Sequence, residues 1–551
     1  MTQKELATLL LPNVEHTREY YEDLYPERNL PEGTMVTRFA PSPTGFVHMG
    51  AIYTSYINAK MAHQSGGIFF LRIEDTDQAR KVENGVENIL SDLDDFGIVP
   101  DEGVTLDGEK GSYGPYIQSK RKDIYQAFAK DLIEKGLAYP CFLSKEEMDE
   151  IRDGQERVKA RIGIYGEWAR SRYLTTEQIL EKINAGIPYI IRIKSNGNFN
   201  HKITIKDCVK GNIEIPENDI DTVIIKSDGL PTYHFAHAVD DYLMHTTHVI
   251  RSDEWVSSLP VHIELFKILG VKPPKYAHIA PISKLENGNH RKLSKRKDPE
   301  AAVSYYSQLG IPKEAVKIYL ATVANSNFER WFETNPKADI NDFKMEFSKM
   351  SKSDSLFDQE KLYNISRNYI SKLPATQVYE SALEYASKYD SELEELLKKH
   401  KDFSIALYNI ERERKKPRKD YVMYSDIKNQ TWYMYDELYD PEKVEYEFGR
   451  IHDPEEIKKI LSLYLEKYYD ANDDESTWFN RMKDLSEELG YASDMKAYRE
   501  NPDAYKGNVA DVSIVLRVAL TSKAQTPNLY DLMQLLGLDR MTKRFNYFIT
   551  Q

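Results

Sequence analysis

Two segments carry residue types that can handle phosphate. The first runs Pro41-Ser42-Pro43-Thr44-Gly45-Phe46-Val47-His48-Met49-Gly50-Ala51 and sits between a strand-like run and a helical pattern. Free backbone N–H groups and the helix dipole favour an anion at such a junction. His48 can donate a hydrogen bond to a phosphate oxygen and stabilise charge that builds on a leaving group. Gly50 lets a nucleotide approach the backbone. The second segment is Lys292-Leu293-Ser294-Lys295-Arg296, in which two lysines three apart can clamp a pyrophosphate. Taken alone, the first is more often a proline-rich turn with a surface histidine, and the second a solvated basic loop.

The elements around these segments decide between the two readings. From Met35 the order is a short strand (MVTRFA), the Pro/Gly loop, an amphipathic helix (AIYTSYINAKMAHQSG) and an apolar strand (GIFFLRIED), which predicts a βαβ unit with a parallel sheet. A second such stretch begins at DTVIIKSDGLPTYHFAHAVDD and runs through HVIR, a helix over SSLPVHIELFKILG and the strand-like YAHIAPI. The mixed helix and strand between them reads as an insertion that splits one nucleotide-binding domain. In such sheets ligands bind at the carboxyl ends of the strands, where both basic and histidine segments fall. After about Pro299 the pattern is helical, with no strand run to Gln551. Residues 1–33 read as a helical extension on the outside of the first domain.

Composition sets the frame. A chain of 551 residues exceeds the size at which one core divides, so several modules are expected. The hydrophobic fraction is 41%, charged residues make up 29%, and no apolar run reaches membrane-spanning length. The opening MTQKELATLLLPNVEH lacks a basic leader and a signal-peptide core, and Cys141 and Cys208 are the only cysteines. A reducing cytoplasm is therefore expected, with no disulfide framework and no Cys-rich zinc site. The net charge of −14 argues on its face against a nucleic-acid partner. Local basic runs at Arg291–Lys297 and Arg412–Lys419 can still supply the field RNA needs.

Six segments, RFAPSPTGFVHMG, GGIFFLRIEDTD, GPYIQSKR, KSDGLPTYHFAHAVDD, HVIRSDEW and KLSKRKD, follow one another in an order that resembles the bacterial-type glutamyl-tRNA synthetases. They span Arg38 to Asp298, and the first and last look like the two signature motifs of class I synthetases. The resemblance implies an α/β fold: a class I Rossmann-like parallel sheet split by an inserted α+β domain and followed by all-α tRNA-binding domains. The implied division is an extension at 1–33, catalytic halves at 34–113 and 221–286, and an inserted acceptor-end-binding domain at 114–220. A signature loop with a helical stem-contact domain follows at 287–370, then a helical anticodon-binding domain at 371–551. The implied activity is glutamate–tRNA ligation with ATP, with magnesium carried by the ATP phosphates, no protein-held metal and no zinc. Implied partners are L-glutamate and tRNA(Glu), with tRNA(Gln) left open as a second tRNA and no membrane, and the family expectation is a monomer.

The same resemblance implies roles. Glutamate is held by positions matching Arg38, Ser42, Glu74, Tyr233 and Arg251. Two guanidinium groups suit a substrate with two carboxylates, and Glu74 can pair with its ammonium. ATP falls to Thr44, His48, Gly50, Glu254, Trp255, Leu293 and Lys295, with His48 and Lys295 as the catalytic pair. No editing site is expected, because a charged pocket rejects glutamine by itself. A literal second copy, Lys349-Met350-Ser351-Lys352-Ser353, reads as a decoy, since it falls in the helical part and leads into DSLFDQEKL. In RERKKPRK, Arg412, Arg414, Lys415, Lys416 and Arg418 are candidates for anticodon phosphates, with Tyr421 and Tyr424 as stacking partners for unstacked bases.

Two other readings compete. A glutaminyl-tRNA synthetase shares the fold but usually carries a Pro-Pro-Glu-Pro pattern where this chain has Ala40-Pro41-Ser42-Pro43. A catalytically silent tRNA-binding protein has no use for a pyrophosphate clamp.

Overall fold

Met35 to Leu71 folds as strand, helix and strand. The computed structural model describes residues 1–44, 47–77, 82–294 and 297–550, which divide into two compact units: Met1–Tyr305 with Lys317–Asp358, and Tyr306–Val316 with Gln359–Gln551. This division differs from the expected one at 287–370, whose residues are shared between the two units.

In the first unit, β1 (Val36–Phe39) and β2 (Ile68–Leu71) pair in parallel from Val36↔Ile68 to Phe39↔Leu71. Gly67 permits this approach: a Cβ there would stand 2.0 Å from the Met35 carbonyl oxygen. The sheet continues through β3 (Glu102–Thr105), parallel to β2, and β4 (Gly108–Lys110), antiparallel to β3. The Met49–Gln64 helix between β1 and β2 departs from the expected amphipathic pattern. Its length from Met49 to Ala62 is buried nearly all round, because the sheet lies on one side and residues 341–345 cover another. Lys60 Nζ donates to the Asn341 carbonyl at 2.6 Å, and Gln64 to that of Met345 at 2.7 Å.

The insertion holds two antiparallel ladders, one from β5 (Ala138–Cys141) and β6 (Ile190–Ile193), the other from β7 (Lys202–Asp207) and β8 (Gly211–Pro216). The strand β9 (Val223–Ile225), read in the sequence as opening the second catalytic half, pairs with β6 and so joins the insertion. An apolar run such as VII announces a strand but not its neighbour. The nucleotide-type sheet resumes with β10 (His248–Ser252) and β11 (Lys275–Ile279), parallel and in register from His248↔Lys275 to Ser252↔Ile279. It adjoins β1, whose Val36 carbonyl accepts from the Thr247 N–H at 3.0 Å.

A hairpin follows, β12 (Ile282–Glu286) against β13 (Asn289–Lys292). Its outer edge is closed by a short strand that sequence reading missed, β14 (Ser355–Leu356), parallel to β12. Residues 1–33 form the helices Gln3–Leu10 and Arg18–Leu24, and Arg18 donates to the Leu269 carbonyl at 2.8 Å. The second unit is helical and is built around its own apolar core. No helix among the described residues is long and apolar enough to cross a membrane.

Candidate active site

A cavity opens where β1, β10 and β11 end. It is lined by Arg38, Ser42, His48, Gly50, Glu74, Tyr233, Arg251, Glu254, Trp255 and Leu293, together with Lys292 and backbone around Ile279–Ile282. Ten of the expected residues, distant in sequence, thus meet at one place. Thr44 does not line it; it is exposed in the loop, with its N–H donating to the Ser42 carbonyl at 2.8 Å. Gly45, Phe46, Lys295 and Arg296 lie outside the described residues.

His48 caps the Met49–Gln64 helix, and its Nδ1 accepts from the Ala51 N–H at 3.1 Å. A ring nitrogen that accepts carries no proton, so the neutral ring bears its proton on Nε2 and presents it as a donor. Gly50 leaves room for this ring, since a Cβ there would stand 3.0 Å from Nδ1 and 3.1 Å from Cε1 and press the ring aside. The loop itself is held at its base, where the Pro41 carbonyl accepts from the Glu74 N–H at 2.9 Å.

Beneath the cavity lies a buried ion network that sequence reading did not assign. Asp241 accepts from Arg72 Nη1 at 2.9 Å and from Arg38 Nε at 3.3 Å, while Arg72 Nη2 donates to Glu74 Oε1 at 2.9 Å. Asp240 accepts from Arg121 at 2.8 Å, Gln118 at 2.9 Å and Tyr125 at 2.8 Å. Each of these residues except Tyr125 comes from one of the quoted segments, RFAP, LRIED, GPYIQSKR or HAVDD, which the fold brings into one network. Burial pushes the Asp241 carboxyl up, but Arg38 and Arg72 together with His237 hold it well below the usual range. Burial raises Glu74 despite Arg72 and Arg38.

The network balances, with Arg38, Arg72 and Arg121 set against Glu74, Asp240 and Asp241. Arg251 does not belong to it. Its Nε donates to His278 Nε2 at 3.0 Å, its Nη1 to His262 Nδ1 at 3.2 Å, and its Nη2 to the Trp255 carbonyl at 3.4 Å. None of these partners is an anion. Arg251 is 5% exposed, and burial holds its guanidinium below its ordinary value. A desolvated cation of this kind is stabilised by an arriving carboxylate. Tyr233 packs against Trp255 with ring centroids 4.6 Å apart, and burial pushes its hydroxyl up to about 12, so it remains a donor.

On the opposite wall, Lys292 Nζ donates to both Glu254 oxygens at 2.9 Å. The hairpin's signature end is fixed by Arg291, paired with Asp298 at 2.6 Å, and by the Leu293 N–H donating to the Ile282 carbonyl at 3.2 Å. The Lys349–Ser353 copy does not line the cavity. The Lys352 carbonyl accepts from Lys210 at 2.7 Å, and Asp354 accepts from Ser283 at 2.9 Å, so this segment braces the hairpin from outside.

In the second unit, Arg412 donates to the carbonyls of Tyr408, Ile370 and Leu373 at 2.7, 2.7 and 3.0 Å, tying helix ends together. Arg414 pairs with Glu411 at 2.8 Å and Arg418 with Asp420 at 2.6 Å, whereas Lys415 and Lys416 are exposed. The expectation that Tyr421 and Tyr424 stack on bases is corrected: both rings are buried in the helical core. A base could reach them only by opening that core. Among the described residues, no group of three or more His, Cys, Asp or Glu is arranged to hold a metal.

A nucleotide-type parallel sheet with a histidine-capped helix, a basic hairpin loop and a buried arginine held by neutral partners defines a class, and sequence comparison agrees. Residues 34–364 match the family described as tRNA synthetases class I (E and Q), catalytic domain, and residues 416–549 match an anticodon binding domain. The chain belongs to the class I E and Q synthetase family and is an aminoacyl-tRNA ligase, an ATP-using enzyme that acts on tRNA. It is 48% identical over 551 residues to a glutamate–tRNA ligase of Clostridium perfringens (strain SM101), covering 100% of both chains. It is 46% identical over 545 residues to that of Acetivibrio thermocellus, covering 99% of each. Among solved structures, a glutamate tRNA ligase from Elizabethkingia meningosepticum in complex with its amino acid is similar with a TM-score of 0.75 and 25% identity. That match covers 94% of this chain and 99% of the other.

Proposed function

We propose that this chain is a glutamate–tRNA ligase that activates L-glutamate with ATP to glutamyl-adenylate and pyrophosphate, then transfers glutamate to the 3′-terminal adenosine of tRNA(Glu). The observation that carries the reading is the charge of Arg251, a buried guanidinium whose hydrogen-bond partners among the described residues are two imidazoles and a carbonyl rather than an anion. Glutamate supplies that anion through its side chain. Glutamine does not, and would leave a desolvated cation unpaired.

Arg38 and Ser42 face the rest of the amino acid, Glu74 pairs with its ammonium group, and Tyr233 donates to a carboxylate oxygen. The substrate carboxylate itself attacks the α-phosphorus, so catalysis rests on positioning and charge stabilisation rather than on a nucleophile of the enzyme. His48 donates Nε2–H toward the phosphates, Lys295 takes the departing pyrophosphate, and Glu254, Trp255 and Leu293 hold the nucleoside. Thr44 and Gly50 complete the nucleotide side. Magnesium arrives on the ATP phosphates. In this reading the enzyme is a cytoplasmic monomer, and Lys415 and Lys416 are the better candidates for RNA phosphates than Arg412.

ATP–pyrophosphate exchange, run with tRNA and glutamate present, tests the assignment of the signature loop. Lys295→Ala is expected to lose exchange while Lys352→Ala keeps most of it; loss confined to Lys352→Ala contradicts the reading.

A further inference from the structure

Arg251 and His278 are register partners on β10 and β11, which places their side chains next to each other. Arg251 Nε can only donate, so the His278 Nε2 at 3.0 Å accepts and the ring proton resides on Nδ1. That Nδ1 stands 2.7 Å from Asp207 Oδ2 and donates to it. Asp207 ends β7 and is itself fixed, its Oδ1 accepting from the N–H groups of Val209 at 2.9 Å and Lys210 at 2.8 Å. His278 is fully buried and Asp207 is 2% exposed, so neither has solvent as an alternative partner.

We propose that His278, oriented by Asp207, is a positioning residue for substrate recognition: it holds the Arg251 guanidinium by a neutral acceptor and keeps the Asp207 carboxylate one ring away from it. The inference rests on the assignment of Arg251 to the glutamate side chain. An acidic residue in direct contact would fix the guanidinium equally well, but it would compete with the substrate carboxylate for the same charge. A neutral imidazole fixes orientation without that competition. Asp207 then sets the imidazole tautomer, because its carboxylate needs the proton on Nδ1. The relay also anchors the recognition arginine to the turn of the β7–β8 hairpin in the inserted domain.

The test is steady-state aminoacylation with the full chain, with KM for glutamate and for ATP measured separately on wild type, His278→Ala, His278→Gln, Asp207→Asn and Arg251→Gln. His278→Ala is expected to raise the glutamate KM about tenfold or more while the ATP KM moves less than about twofold, as a misplaced binding group requires. His278→Gln, whose amide can accept from Arg251 and donate toward Asp207, should recover part of the loss; Asp207→Asn should fall between. If His278→Ala does not fold, the comparison of His278→Gln and Asp207→Asn with wild type decides. Equal rises in both KM values, or an unchanged glutamate KM, overturn the proposal. If Arg251→Gln raises the glutamate KM and the His278 and Asp207 variants do not, the relay alone fails. If Arg251→Gln leaves it unmoved, the assignment of Arg251 fails, and the relay with it.

Discussion

Arg72 and Asp241 meet at 2.9 Å with neither side chain exposed to solvent. Removing one partner from such a pair leaves a buried charge uncompensated, which costs about 3–5 kcal/mol. Asp241→Asn keeps the shape and removes the charge from both Arg72 and Arg38. Its chemical denaturation midpoint should fall accordingly, and a midpoint within experimental error of wild type contradicts the network.

His48 serves two purposes that can be separated. Asparagine is a good helix cap but lacks the Nε2–H donor. His48→Asn should therefore melt within a few degrees of wild type while ATP-dependent activation falls about 10²- to 10³-fold, the usual loss for one charge-stabilising donor. Gly50→Ala should reproduce part of that fall by displacing the ring. Near-normal exchange in His48→Asn would remove the histidine from catalysis.

The buried histidines give the first unit a pH dependence. Burial holds His237 and His248 down to about 4, against an ordinary value of 6.5. Between these values the unfolded chain binds protons that the folded one refuses. Stability is thus fully present above about pH 6.5 and declines as pH falls toward 4, by about 2 kcal/mol per histidine at pH 5. Thermal melts at pH 7.5 and 5.0 should show the drop, and His248→Gln should lessen it. A flat profile contradicts the assignment.

The basic run of the second unit should divide in the same way. Arg412→Ala should lower the stability of that unit, because three carbonyls lose their donor. Lys415→Ala with Lys416→Ala should leave the melt unchanged and weaken tRNA binding in a salt-dependent manner. Filter binding at two salt concentrations separates these outcomes.

What was legible in the sequence was chemistry at strand ends. Glu74, Arg251 and Lys292 stand at or just past strand ends and His48 caps the helix that follows β1, so the strand–loop–helix order around them, rather than their types alone, marked them. Illegible was anything set by neighbours distant in the chain. VII announces a strand, but not that β9 joins the insertion. The Met49–Gln64 helix reads as one-sided because its covering segment, residues 341–345, lies far away in sequence. Asp207 and His278 carry no local signal, since each gains meaning only from the register that seats His278 beside Arg251. Tyr421 and Tyr424 beside a basic run fit a stacking surface or a core equally well, and only packing separates the two.

The most direct test of the central claim is aminoacylation of tRNA with radiolabelled glutamate and, separately, glutamine, on wild type and Arg251→Gln. A buried cation held by neutral partners predicts that wild type charges glutamate and rejects glutamine by a factor of about 10⁴ or more, and that Arg251→Gln loses most of that preference. Comparable charging of both amino acids by wild type, or an undiminished preference in the variant, would contradict it.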